Sequence, residues 1–179
     1  MKPPEIIETE RLILRKPRMD DAPAVFAGWA QYPEVTRFLT WHPHECVAQS
    51  EALMKRSIDG WDGDKNFRYV LEIKECCALA GMIELRLEKD PFKMSFGYTG
   101  ARDQWGKGYM TEAVRASIEW AFQQPGIYRV YATTDVENVP SRRVMEKAGM
   151  QCEGILRREG IHPNISPEPR DCYMYAIVK

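Results

Sequence analysis

Between Met94 and Ala113 the chain reads MSFGYTGARDQWGKGYMTEA, and its most chemically pointed feature is Gly106-Lys107-Gly108. Two glycines around one lysine let the backbone come close to a ligand, and a helix pattern begins almost at once. The free N–H groups and positive dipole end of such a helix attract an anion such as a diphosphate. An ordinary strand-to-helix turn would use the same glycines for tight geometry alone. Two familiar phosphate loops fail by counting. A G-x-G-x-x-G fingerprint needs glycine where Thr111 stands, and a Walker A loop needs glycine at Ala101 and Ser or Thr at Gly108.

The elements that must position this loop follow from periodicity. Residues 11–15 (RLILR) read as a strand. Asp20 or Asp21 reads as an N-cap, with Pro23 in the first turn and Val25, Phe26 and Trp29 at helical spacing. A second helix runs from about Cys46 to Ile58 and ends at Asp59-Gly60. Phe67, Tyr69, Leu71 and Ile73 alternate as a strand; after a turn at 75–78, Ile83, Leu85 and Leu87 do the same. Met94 to Ala101 completes an antiparallel meander. Past the glycine loop, Val114, Ile118, Ala121 and Phe122 mark a helix stopped by Pro125-Gly126. A strand at 128–134, a short helix from Ser141 to Ala148 with Gly149 at C′, and strands near 150–157 and 172–178 follow. No repeat or linker interrupts this order, so residues 1–179 read as a single α+β domain.

Composition limits the function classes. Among 179 residues, 25 Lys and Arg nearly balance 26 Asp and Glu, which argues against holding nucleic acid by bulk charge. Five cysteines, Cys46, Cys76, Cys77, Cys152 and Cys172, form no C-x-x-C pair, and with nine methionines they suit a reducing, cytoplasmic setting. No apolar run approaches the roughly 20 residues of a membrane-spanning helix.

The loop and its surroundings resemble the acyl-coenzyme A site of the GNAT superfamily of N-acetyltransferases, Gln/Arg-x-x-Gly-x-Gly/Ala, with Gly106 and Gly108 in the last positions. The string from Trp105 to Ala113 is similar to the ribosomal-protein N-terminal acetyltransferase branch, the RimJ/RimL type. Thr9 to Arg15 (TERLILR), Gly97-Tyr98, Asn138-x-x-Ser141, Glu146-Lys147-x-Gly149 and Pro169-Arg170-Asp171 with Tyr173 agree in the same order. The resemblance implies a GNAT-like α+β fold: a mixed, mostly antiparallel central sheet splayed at the cofactor site, with helices on both faces. It implies acetyl transfer from acetyl-CoA to a primary amine, a protein N-terminus or a small molecule, by direct attack and without a metal. A catalytically silent acyl-CoA binder of the same fold is the alternative. Neither nucleic acid nor membrane is expected as a partner, and a homodimer is compatible with the reading.

By the same resemblance, backbone groups of Phe96, Gly97 and Tyr98 pair with the pantetheine arm as an added strand would. Amides of Gln104, Trp105, Gly106, Lys107, Gly108 and Tyr109 wrap the diphosphate, with Lys107 adding charge, and Asn138 bonds the pantetheine or the sulfur end. Three positions depart from the pattern. Asp103 stands where Gln or Arg is usual, so one polar or cationic bond to phosphate is either absent or supplied by the neighbouring Arg102. Thr133 and Met145 stand where a catalytic Glu and Tyr are familiar, and neither transfers protons in that way.

Other groups must then do the work. Ser141, placed by the resemblance near the sulfur, either donates to the departing thiolate or caps its helix. For the base, Glu84 on the second meander strand is the first candidate, against a solvated carboxylate; Asp171 and water are the others. His42 and His44 lack companions for a zinc site and read as a loop over the cleft. Trp29, Phe38, Trp41 and Trp61 are expected to combine core packing with a substrate-facing wall. His162 reads as a loop residue.

Overall fold

The structure is a computed structural model and describes residues 2–61, 63 and 66–179. Among the described residues eight strands form one sheet: β1 (Ile6–Glu8), β2 (Leu12–Arg15), β3 (Asn66–Ile73), β4 (Leu79–Leu87), β5 (Lys93–Gly100), β6 (Arg129–Asp135), β7 (Gln151–Gly160) and β8 (Arg170–Val178). Their order across the sheet is β1-β2-β3-β4-β5-β6-β8-β7. Every neighbouring pair is antiparallel except β5 and β6, which run parallel. The meander from β3 to β5 forms where alternation places it, and the fold is α+β with helices on both faces.

Strand alternation sends consecutive side chains to opposite faces. On one face Phe67, Tyr69, Leu71, Ile83, Leu85, Met94 and Phe96 are buried with Val114, Ile118 and Ala121 of α4 (Tyr109–Gln123) and Met145 of α5 (Val139–Lys147). On the other face Val70 and Met82 pack against α1 (Ala22–Val25) and Met54 of α3 (Val47–Gly60). The short helix α2 (Pro33–Thr36) lies between α1 and α3 in the chain.

The first helical region differs from its expected form. A 3-10 turn (Met19–Asp21), α1 and a π turn (Phe26–Ala30) replace one regular helix. Asp21 is not a side-chain cap of α1. Its carboxylate takes two hydrogen bonds from Arg15, at 2.9 and 2.7 Å, and one from the Arg18 N–H at 2.7 Å. Arg15, nearly buried, also reaches Glu72 at 2.6 Å. Removing one partner of such a pair strands a charge, so this network fixes the chain's entry into α1.

The sheet opens between β5 and β6. Only Lys93, Met94 and Ser95 pair with Arg129, Val130 and Tyr131. Past that point β5 still pairs with β4, from Phe96 opposite Leu85 to Gly100 opposite Gly81, while β6 pairs with β8 on its other side. The stretch from Phe96 to Gly100 therefore turns one backbone edge into a cleft. α4 starts at the top of that cleft and α5 flanks it.

Candidate active site

At the end of β5 the chain makes a 3-10 turn (Arg102–Gln104), then a loop through Gly106 and Gly108 into α4. Gly106 has φ 77° and Gly108 φ 84°, left-handed values that L side chains rarely adopt. Gly108 is the N-cap residue of α4, and its carbonyl accepts the first helical bond from Glu112 N at 3.1 Å. The N–H groups that precede Glu112 have no partner within the helix, as at any helix start. Two of the six amides expected to wrap a diphosphate are spent, because the 3-10 turn uses them. Gln104 N donates to Ala101 O at 3.0 Å and Trp105 N to Arg102 O at 3.4 Å. The donors left at the mouth come from Gly106 to Tyr109.

The loop's side chains hold one another. Lys107 Nζ donates to Gln104 Oε1 at 2.9 Å, and Gln104 Nε2 donates to Asp103 Oδ2 at 3.0 Å. Trp105 Nε1 donates to Gly100 O at 3.0 Å, laying a half-exposed indole over the end of β5. Arg102, the neighbour of Asp103 that could supply the missing cationic bond, pairs with Glu34 at 2.8 Å and lies over the Tyr32 ring at 5.3 Å.

Across the cleft, α5 is capped by Asn138, whose Oδ1 accepts from Ser141 N at 3.2 Å. Asn138, not Ser141, is therefore the cap of α5, and the serine hydroxyl lies outside the capping bond. Ser141 Oγ lies 2.8 Å from the Tyr98 hydroxyl, which also stands 3.0 Å from Ser141 O. Burial pushes the Tyr98 phenol well above its ordinary range, outweighing the opposing effect of the Ser141 hydrogen bond, so it stays a protonated donor at neutral pH. Sequence reasoning used Tyr98 for its backbone alone and missed this phenol. Met145 is fully buried one turn below Ser141 on the same helix face, while Thr133 is exposed on β6 opposite Met174.

Glu84 lies opposite Gly97 in the β4–β5 register, and Ile83 lies opposite Tyr98. Glu84 and Tyr98 therefore project from opposite faces of the sheet. Glu84 pairs with Arg86 at 2.8 Å and Arg68 at 3.3 Å, so a substrate N–H must compete with two guanidinium groups for it. Arg86 passes over Gly97: a Cβ there would sit 2.8 Å from Arg86 Nη2, so only glycine lets the guanidinium lie so close.

Residues 11–151 match the family described as the acetyltransferase (GNAT) domain. The chain belongs to the GNAT acetyltransferase family. This GNAT N-acetyltransferase is 29% identical over 177 residues to the uncharacterized N-acetyltransferase p20 of Bacillus licheniformis, spanning 98% of this chain and 97% of that protein. The crystal structure of a GNAT-family acetyltransferase from Bacillus anthracis superimposes with a TM-score of 0.84 at 28% identity, over 97% of this chain and 98% of that one. RimL, a ribosomal L7/L12 alpha-N-protein acetyltransferase solved in complex with coenzyme A, gives a TM-score of 0.84 at 19% identity, over 97% and 98% of the two chains. At that identity the likeness speaks for the fold.

The other candidates in this GNAT enzyme have mainly structural settings. Asp171 Oδ1 accepts from Arg158 N at 2.9 Å and its carbonyl from Val136 N at 3.2 Å, which orders the terminal hairpin. Trp29 and Trp61 are fully buried, so neither forms a cleft wall. Phe38 and Trp41 keep partial exposure, and Trp41 packs near His44 at 4.8 Å. His42 Nδ1 and Asn164 Oδ1 are 2.8 Å apart, and Asn164 Nδ2 donates to Thr36 O and Trp41 O at 2.7 and 2.8 Å. The H-P-H and H-P-N segments thus fasten two loops together. His162 lies in the loop between β7 and β8, as expected, but is buried there, and its Nε2 stands 3.8 Å from both Asp135 Oδ2 and Cys172 Sγ. Among the described residues no group of three or more His, Cys, Asp or Glu is placed to hold a metal ion, and no helix is long and apolar enough to cross a membrane.

Proposed function

We propose that this protein moves an acetyl group from acetyl-CoA to a primary amine, a protein N-terminus or a small-molecule amine, by direct attack. The observation that carries the reading is the open β5 edge from Phe96 to Gly100. It leads to the donors of Gly106 to Tyr109, and its own Tyr98 reaches across the cleft to the Ser141 hydroxyl of α5. A pantetheine arm carries amide groups spaced to pair with such an edge, and a diphosphate suits the helix start beyond it. Asn138 Nδ2 and Lys107 Nζ add a hydrogen bond and a point charge to the same path.

In the transfer the amine nitrogen bonds to the thioester carbonyl carbon, the C–S bond breaks, and the sulfur leaves with the electron pair. Tyr98 has one phenol hydrogen, within reach of both Ser141 O at 3.0 Å and Ser141 Oγ at 2.8 Å; when it turns to Oγ, the serine hydrogen is released to donate to that sulfur. The amine arrives from the face opposite Tyr98, where Glu84 stands. With both Glu84 oxygens engaged by arginines, Glu84 orients the amine and water or Glu84 takes its proton.

The test is release of free coenzyme A thiol from acetyl-CoA on addition of a panel of N-terminal peptides and small amines. Turnover with at least one amine supports the reading. Tight coenzyme A binding with no turnover across the panel favours the silent acyl-CoA binder, for which the replacements at Thr133 and Met145 speak.

A further inference from the structure

Behind the diphosphate loop, two motifs about a hundred residues apart meet on one carboxylate. Thr9 Oγ1 donates to Glu112 Oε1 at 2.6 Å, Arg11 N donates to the same oxygen at 2.8 Å, and Arg11 Nε donates to Oε2 at 2.7 Å. The same guanidinium continues into the loop. Its Nη1 donates to Lys107 O at 3.0 Å, its centre lies 4.7 Å from the Tyr109 ring centroid, and its Nη2 is 3.4 Å from where a Gly108 Cβ would be.

Two consequences follow from elementary geometry and charge. The C=O and N–H of a trans peptide point in opposite directions, so tethering Lys107 O to Arg11 aims Gly108 N–H away from Arg11. Glu112 sits in the first turn of α4. A carboxylate there stabilises the helix through its dipole, yet it repels any anion brought to the same helix start. Arg11 cancels that charge where it stands.

We propose that Arg11 and Glu112 are positioning residues for the diphosphate end of the ligand, with Arg11 both turning the 107–108 peptide toward it and screening it from Glu112. This rests on the reading of the loop as the coenzyme A diphosphate site. Thr9 completes the node by joining Arg11 N on Glu112 Oε1, so the turn before β2 forms part of the cofactor site without touching the cofactor.

The experiment is calorimetric titration of coenzyme A into the full-length protein and three variants, with thermal melts alongside. Arg11→Met removes the tether and exposes the carboxylate, and its dissociation constant is expected to rise about tenfold or more, the size of one moderate charge interaction near a surface. Glu112→Gln is expected to cost about threefold or less, because a neutral amide at that place no longer repels the ligand. The double variant should therefore bind more tightly than Arg11→Met alone. A clamp that serves folding only predicts the opposite: a double variant no better than either single one, with affinity following melting temperature. Should Arg11→Met not fold, Arg11→Lys keeps the charge without the fork. Its dissociation constant is expected to rise about threefold, by a factor little changed with salt, since only the tether is removed. Wild-type affinity in whichever Arg11 variant folds, or no recovery in the double variant, overturns the inference. Failure of the wild-type protein to bind coenzyme A overturns the reading of the loop beneath it.

Discussion

The phenol of Tyr98 and the hydroxyl of Ser141 lie 2.8 Å apart, joining β5 to α5 across the open part of the sheet. Tyr98 belongs to the strand that continues to the diphosphate loop, and Ser141 to the third residue of a helix capped by Asn138. One hydroxyl pair thus ties the two walls of the cleft at the depth where β5 has lost its β6 partner. It also offers a protonated donor on a face from which Met145, buried in the core, offers none.

Gly108→Val tests the loop. A β-branched residue at φ 84° is strained, and its side chain meets Arg11 Nη2 at 3.4 Å. The strain is on the order of 1–2 kcal/mol, a few degrees of melting temperature, whereas close approach of a ligand to the backbone is blocked outright. A rise in the coenzyme A dissociation constant of about tenfold or more is expected by calorimetry, with the fold retained. Unchanged affinity removes the loop from the site.

Glu84→Gln tests the acceptor face. Because Arg68 and Arg86 already occupy the carboxylate, kcat is expected to fall only about threefold to tenfold, below the usual range for loss of a general base. The pH–rate profile decides between roles. An unchanged profile fits an orienting group with water as the base, and loss of its acidic limb makes Glu84 the proton acceptor itself.

Acid stability follows from two carboxylates. Burial alone raises the carboxyls of Glu112 and Asp135, but hydrogen bonds and charges outweigh it: Thr9 and Arg11 act on Glu112, and Arg170, the Glu137 N–H and His162 act on Asp135. Both are held below the ordinary range. A group depressed in the folded state contributes stability above its unfolded value, near 4, and that contribution is lost as pH falls through the folded value. Melting temperature should therefore be level above about pH 5 and decline below about pH 4. Asp135→Asn should lower stability near neutrality and flatten the decline, which scanning calorimetry across pH reads directly.

Much of the fold is legible in the sequence because strands and helices buried on one face repeat with a fixed period. The alternation of Phe67 to Ile73 and of Ile83 to Leu87, and the spacing of Val114 to Ala121, reappear in β3, β4 and α4. Elements too short to show a period do not: β1 has three residues and α2 four. Asp21 looks like a cap in sequence, and only the buried Arg15 beside it shows why its carboxylate turns elsewhere. The site divides in the same way. The glycine loop and Asn138-x-x-Ser141 are local patterns, whereas Tyr98 with Ser141 and Arg11 with Glu112 are contacts made by sheet topology. No spacing rule reaches across 43 or 101 residues.

The most direct measurement is kcat, with the acetyl-CoA dissociation constant measured in parallel, for Ser141→Ala and Tyr98→Phe. A thiol with a pKa near 8.5 leaves tolerably well without help, so protonation is worth a moderate factor. Ser141→Ala is expected to lower kcat roughly 10²-fold, and Tyr98→Phe about tenfold through loss of the bond that frees the serine hydrogen. Cofactor affinity should change little in either, because the hydroxyl favours the departing thiolate over the bound thioester. Full activity in Ser141→Ala, or a loss lying entirely in binding or stability, contradicts the account and leaves the thiolate to solvent.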